Sequence, residues 1–161
     1  MQFDGTNDYI DTALESAFDF TGPFSVSFWM KRNGYTKSWE AMLTKADSAW
    51  GIARNGGGRS VAFTTFSASG TWHDLVGTAT VDDNQWHHVV AVFTGTQKQL
   101  YIDGALNASA NYAQTMRTNN LNVRMGMNEE YAAGFYGGAL DQIRVYGRAL
   151  TPAEVTILFT E

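Results

Sequence analysis

Between Phe24 and Lys31 every second residue is apolar. Phe24, Val26, Phe28 and Met30 fall on one face of an extended chain, with Ser25, Ser27, Trp29 and Lys31 on the other. A period of two is that of a strand with one face buried, so the first face is predicted to be core. Short segments of this kind, each closed by turn residues, recur along the chain and predict an all-β protein. Asn55-Gly56-Gly57-Gly58 reads as a turn between strands over 49–54 and 60–66. Asp82-Asp83-Asn84 reads as another, ahead of a central strand over 86–94 that is apolar on both faces. Asp103-Gly104, between 100–102 and 105–108, is a hairpin signal because both residue types tolerate positive φ. Three connections look longer than turns, at 33–40, 67–80 and 128–138, and they hold most of the aromatics that a core does not claim.

The chain ends differently. A last strand over 138–146 runs into Arg148-Ala149-Leu150-Thr151-Pro152-Ala153-Glu154. Thr151 can cap a helix, Pro152 suits its first position, and Glu154 lies three residues after the cap, which is a capping box. Val155, Leu158 and Phe159 then recur at helical spacing. Together with the opening Phe3-Asp4-Gly5-Thr6-Asn7-Asp8-Tyr9-Ile10, this predicts a sandwich whose first and last strands meet, a natural place for a structural cation.

A length of 161 residues is most simply a single domain with a substantial core. Sixteen glycines against two prolines suit many tight turns. A net charge of -5, with the basic residues scattered, argues against a nucleic-acid surface, which needs clustered Lys and Arg. The absence of cysteine excludes disulfides and thiolate metal sites. No apolar run approaches the ~18 residues of a membrane span, so membrane insertion is not expected. No signal peptide is apparent, since Met1 leads almost at once into a strand. The sequence reads as a domain excised from a larger extracellular protein, with another domain of that parent as a possible neighbour.

Six segments in series resemble the laminin-G-like, concanavalin-A-like lectin/glucanase family. They are Phe3-Asp4-Gly5 with Asp8-Tyr9-Ile10, the strand from Phe24 to Lys31, Leu43-Thr44-Lys45-Ala46-Asp47, Trp86-His87-His88-Val89-Val90-Ala91-Val92, Leu100-Tyr101-Ile102-Asp103-Gly104, and Leu140-Asp141-Gln142-Ile143-Arg144-Val145-Tyr146. The resemblance covers nearly the whole chain. It implies a two-sheet antiparallel jelly-roll sandwich with a short C-terminal helix, used to bind glycans or proteins. It further implies a structural calcium joining an N-terminal loop to an acid on the last strand, with Asp4 and Asp141 as the matching residues. Asp8 and Asp47 are further candidates. An acid among apolar strand residues is costly unless paired or bound to a cation, and the alternatives to calcium are a salt bridge with Arg144 or Lys45, or a carboxylate that caps a turn.

Catalysis finds little support in the residues. A retaining glycosidase needs two carboxylates about 5 Å apart, and no alternating acidic motif occurs. Glu129 and Glu130 are adjacent, so on a strand they would point to opposite faces. His87 and His88 cannot face one metal without distortion, and His73 has no assignable partner. Sugar recognition needs flat aromatic platforms with polar partners around them. Trp72 and Trp39 lead the candidate platforms, with Tyr131, Tyr136 and Phe135 beside them. His73, Asp74, Arg59, Glu130 and Asn128 are the candidate polar partners. Trp50 is expected to be core, as are Trp29 and Trp86 on their strands. The resulting expectation is a noncatalytic carbohydrate-binding module for a polysaccharide or glycan. Its alternative is a protein-recognition or adhesion domain of a surface or virion protein. Asn107-Ala108-Ser109 fits a glycosylation acceptor in a eukaryotic secretory route.

Overall fold

The structure, a computed structural model, describes residues 1–34 and 37–161, with Asn33 described through its backbone. The expected connection 33–40 is therefore seen at Gly34 and from Lys37 onward, while Tyr35 and Thr36 lie outside the described residues. Among the described residues, twelve strands and one α-helix follow in order, with a single 3-10 turn at Ser16–Phe18 between the second and third strands: β1 (Gln2–Asp4), β2 (Ile10–Asp11), β3 (Phe24–Asn33), β4 (Ala41–Thr44), β5 (Trp50–Arg54), β6 (Val61–Phe66), β7 (Trp72–Val76), β8 (Asp83–Phe93), β9 (Gln97–Ile102), β10 (Ala105–Asn111), β11 (Arg124–Met125), β12 (Gly137–Tyr146) and α1 (Pro152–Thr160). They form two antiparallel six-stranded sheets, β1-β12-β3-β8-β9-β10 and β2-β11-β4-β5-β6-β7. This is the jelly-roll sandwich that the resemblance implies, built from the strands that the alternation predicts, and β1 does pair with β12.

The period-two face of β3 enters the core as expected: Phe24, Val26, Phe28 and Met30 are all buried. Phe24 is central, with ring centroids 5.2 Å from Trp50, 5.8 Å from Phe63 and 6.3 Å from Phe93. Burying each such ring contributes on the order of 2–3 kcal/mol. Lys98 crosses between the sheets. Its buried ammonium donates to the carbonyl oxygens of Phe63 at 2.5 Å and His73 at 2.6 Å, and burial pulls its pKa down to about 7.

The outer face of the first sheet is apolar along β8 because α1 lies on it. Val90, Val92 and Tyr101 pack with Leu150, Val155 and Leu158 in a second buried cluster. Trp29 also belongs to this layer, stacked on Phe159 at 5.8 Å, so helix and sheet cover it between them. The capping box forms as predicted: the Glu154 N–H donates to Thr151 Oγ1 at 3.3 Å, and the Thr151 N–H donates to Glu154 Oε2 at 2.7 Å. The bond from Arg148 and those from Thr151 lower the Glu154 pKa to about 2. Thr151→Ala is expected to lower unfolding stability by about 1 kcal/mol, measured by urea denaturation. An unchanged midpoint would show that α1 is held by packing alone.

The hairpin at Asp103-Gly104 has φ of 51° and 77°, the double positive that its sequence signals. The segment 67–80 departs from expectation. It contains β7, whose residues Trp72 to Val76 pair with Phe66 to Ala62. Polar and glycine residues on both sides give the look of a loop, but the β6 edge supplies the backbone partners. Likewise β8 starts at Asp83, inside the expected turn, and Asn84 takes a φ of 67° beside a register shift in the pairing with β3.

Candidate functional site

A cleft of about 460 Å³ opens over the outer face of the second sheet. Strand alternation sets what faces it. Val61 and Phe63 of β6 go to the core, so Thr64 points outward; Leu75 of β7 goes inward, so Trp72 and Asp74 point outward. The register places Thr64 opposite Asp74 and Phe66 opposite Trp72. Trp72 stands edge-on to Phe66 at 4.6 Å, which braces its ring. The other walls come from separate segments: Ser38 and Trp39 before β4, Asp47 before β5, and Asn128, Tyr131, Ala133 and Gly134 before β12.

The two long connections dock on each other at Gly134. With φ +65°, it sits so close to Trp39 that a Cβ would lie 2.6 Å from the Trp39 carbonyl oxygen, so only glycine lets the backbones approach this closely. The Ala41 N–H then donates to the Gly134 carbonyl at 2.8 Å. At the other rim, the Asn128 side-chain amide donates to Asp47, the Glu130 N–H donates to Asn128 Oδ1 at 3.1 Å, and the Ser48 N–H donates to Glu130 Oε2 at 2.8 Å.

These bonds fix the floor while the aromatic walls stay open to solvent. Trp39 is 43% exposed, Trp72 48% and Tyr131 63%. Two carboxylates share the same space. Burial raises the pKa of Asp47 against the bond from Asn128, and the charges of Glu130 and Asp74 push it further. Burial also raises Asp74, with Lys98 and His73 pulling the other way from behind the sheet.

Of the residues picked out from sequence, the structure brings Trp39, Trp72, Asp74, Asn128 and Tyr131 together, with Glu130 as a brace. It separates others. Tyr136 is not a platform: it is fully buried, packs against Phe3 at 6.2 Å, and its hydroxyl donates to the Lys31 carbonyl at 3.2 Å. His73 alternates with Trp72 and Asp74, so its ring turns inward against Tyr112 at 4.8 Å. Arg59 lies outside the cleft and pairs with Asp82 at 2.6 Å. Trp50 is core as expected, but Trp86 is not: it is 43% exposed on the outer face of the first sheet, opposite Lys31. Glu129 and Glu130 lie on a turn, not on a strand, and make separate bonds: Glu129 pairs with Arg124 at 2.9 Å, and Glu130 accepts from Ser48 N.

Asp4 and Asp141 are not brought together. Asp4 pairs with Gly137, so Asp141 lies four residues further along β12, roughly 13 Å away. The Asp4 carboxylate accepts from Thr6 N at 2.7 Å and Asn7 N at 3.2 Å, while Lys37 donates to the Gly5 carbonyl. Asp141 accepts from Gln142 N at 2.9 Å. This pair does not fit one shared calcium. Among the described residues, no group of three or more His, Asp or Glu side chains is placed to hold a metal. The sequon asparagine is also engaged: Asn107 Oδ1 accepts from Thr78 N at 2.8 Å, and its amide donates to Thr78 Oγ1.

Sequence reasoning missed Ser38 and Thr64 and assigned Asp47 only to a metal. Thr64 was accessible from the alternation of Val61, Phe63 and Thr65 around it. Ser38 and Asp47 carry no such signal, since their placement depends on how connections fold over the sheet.

Residues 4–156 match the family described as the concanavalin A-like lectin/glucanases superfamily, laminin G type. The human adhesion G-protein coupled receptor D1 is 30% identical over 115 residues, which is 68% of this chain and 13% of the receptor. The binding domain of Paraclostridial Mosquitocidal Protein 1 superposes with a TM-score of 0.74 at 19% identity over 98% of this chain. The Botulinum Neurotoxin serotype G binding domain gives 0.77 at 16% over 99%. The binding domain of Botulinum neurotoxin DC in complex with rat synaptotagmin II gives 0.71 at 16% over 94%. The chain spans 45%, 41% and 39% of those three structures, respectively. At these identities the structural likeness shows the fold.

Proposed function

From the premise that this chain belongs to the concanavalin A-like lectin/glucanase superfamily, as a laminin G-like binding domain, we propose that its cleft binds a glycan without cleaving it. One observation carries the reading: Trp39, Trp72 and Tyr131 stay exposed around a polar floor of Asp47, Thr64, Asp74 and Asn128. Sugar rings offer apolar C–H faces to aromatic planes and hydroxyls to carboxylates and amides, and this arrangement supplies both. Exposing large aromatics to water without a ligand gains the fold nothing. The relatives named above as binding domains accord with a role in recognition, and we place that role outside the cell, within a longer protein. No helix among the described residues is long and apolar enough to cross a membrane.

Affinity electrophoresis through gels containing a panel of polysaccharides, run with calcium and with chelator, tests this. Retardation in at least one gel supports it. Chelator is expected to leave the retardation intact, since the cleft has its own bonded frame. No retardation in any gel, with capture of a protein ligand instead, would overturn it. Asp47 and Asp74 facing one cleft favour a hydrolytic second reading, which reducing-sugar release from the retarding polysaccharide would establish.

A further inference from the structure

The charge of the cleft narrows its ligand. Asp47 and Asp74 both line it, and Glu130 lies close enough to act on Asp47. No lysine or arginine lines it among the described residues. The nearby cations are turned to other work. Lys98 reaches the backbone behind β6 and β7, Lys37 donates to Gly5, and Arg117 stacks on Phe66 at 5.6 Å. A neutral sugar would leave two facing carboxylates in a partly desolvated space with no counter-charge. A ligand ammonium would neutralise them, and the three aromatic walls would add to its attraction, because ring faces attract cations and tryptophan does so best.

Resting on the glycan-binding reading, we infer that the cleft selects a glycan carrying free amino groups, a 2-amino-2-deoxyhexose polymer, through Asp47 and Asp74. Thr64 and Asn128 of the floor, with Ser38 of the wall, then take the sugar hydroxyls, and a lysine side chain of a protein ligand would leave these groups unpaired. Burial holds both carboxylates above their ordinary pKa, and at Asp47 the charges of Glu130 and Asp74 add to it, which accords with a site that lacks its counter-ion. An ammonium between them would draw both back down.

The test is titration calorimetry with three matched oligomers: a β-1,4-linked glucosamine oligomer, its N-acetylated counterpart and a cello-oligosaccharide, at mildly acidic pH where the amine is charged. The glucosamine oligomer is expected to bind at least about tenfold more tightly than the other two, the worth of one charge-assisted hydrogen bond. That advantage should shrink as salt is raised. Asp74→Asn should reduce it about tenfold, and Asp74→Lys should abolish it. Asp74 sits on an edge strand facing outward, so melting temperature is the control for folding of both variants. Equal binding of all three oligomers, unmoved by either variant, would overturn the amine selection while leaving glycan binding intact. Binding of none of them would overturn the amine selection, with the polysaccharide gels deciding whether glycan binding stands, and binding of a lysine-rich peptide alone, with no gel retarding the protein, would overturn both.

Discussion

Replacing Trp72 by alanine is expected to weaken binding of the polysaccharide about a hundredfold while leaving the melting temperature nearly unchanged. Truncating an aromatic anchor at the centre of a binding site typically costs about 2–4 kcal/mol, and each 1.4 kcal/mol is tenfold in affinity. The fold loses little because the ring is 48% exposed and its ring neighbour is Phe66, itself on the outer face. Trp50→Ala is the contrasting variant. That ring is buried beside Phe24, so its loss should cost about 3–5 kcal/mol of stability. Trp39 is a less clean probe, since its own backbone, at φ 56°, is the surface on which Gly134 docks. Affinity electrophoresis beside thermal denaturation reads both properties. Full binding by a folded Trp72→Ala protein would place the ligand elsewhere, and the exposed Trp86 on the opposite sheet would become the next ring to replace.

The contrast between these tryptophans also marks how far sequence alone reaches. Local signals were read correctly where the deciding physics is local. The Asp103-Gly104 turn needs two positive φ values, the Thr151 capping box satisfies its own helix end, and the alternation of β3 names its core face. Trp86 shows the limit, for alternation says which face a residue takes but not what covers that face. The C-terminal helix covers Val90 and Val92 and stops short of Trp86. Tyr136 shows the converse, since a glycine-flanked tyrosine looks like a loop residue until β1 closes over it. Trp72 leads the candidate platforms in sequence as a loop residue, yet its real setting is an edge strand whose register with β6 turns His73 inward and Asp74 outward. The carboxylate pair of the cleft was hidden for a related reason. Asp47 and Asp74 are far apart in the chain, and only docking of the connections before β5 and β12 brings them to one space. Asp4 and Asp141 illustrate the opposite error. Their strands do pair, but the register separates them by four residues.

His88 is expected to withdraw about 3 kcal/mol of stability as pH drops from 6.5 to 4. Its ring is 1% exposed, 5.2 Å from Trp29, with Nε2 2.9 Å from Ser27 Oγ and Nδ1 without a hydrogen-bond partner among the described residues. Burial lowers its pKa to about 4, with Asp103 and Glu161 opposing that shift and Arg144 adding to it. Between pH 6.5 and 4 the unfolded chain therefore binds a proton that the folded one refuses. Stability declines with falling pH across that window and loses nothing more to His88 below it. His87 acts with the opposite sign. Burial lowers its pKa, but its bonds to Asp103 at 2.9 Å and Asp83 at 3.0 Å outweigh that and raise it. Its contribution is fully present below 6.5 and is lost as pH rises through the folded value. The two neighbours thus erode stability on opposite sides of the unfolded histidine pKa, which favours a maximum near neutral pH. Urea denaturation across pH measures both. His88→Gln keeps a hydrogen-bonding group for Ser27 and should flatten the acid limb, while His87→Gln should flatten the limb above 6.5. An acid limb as steep in His88→Gln as in the parent, or an NMR titration of the His88 ring near 6.5, would refute this assignment.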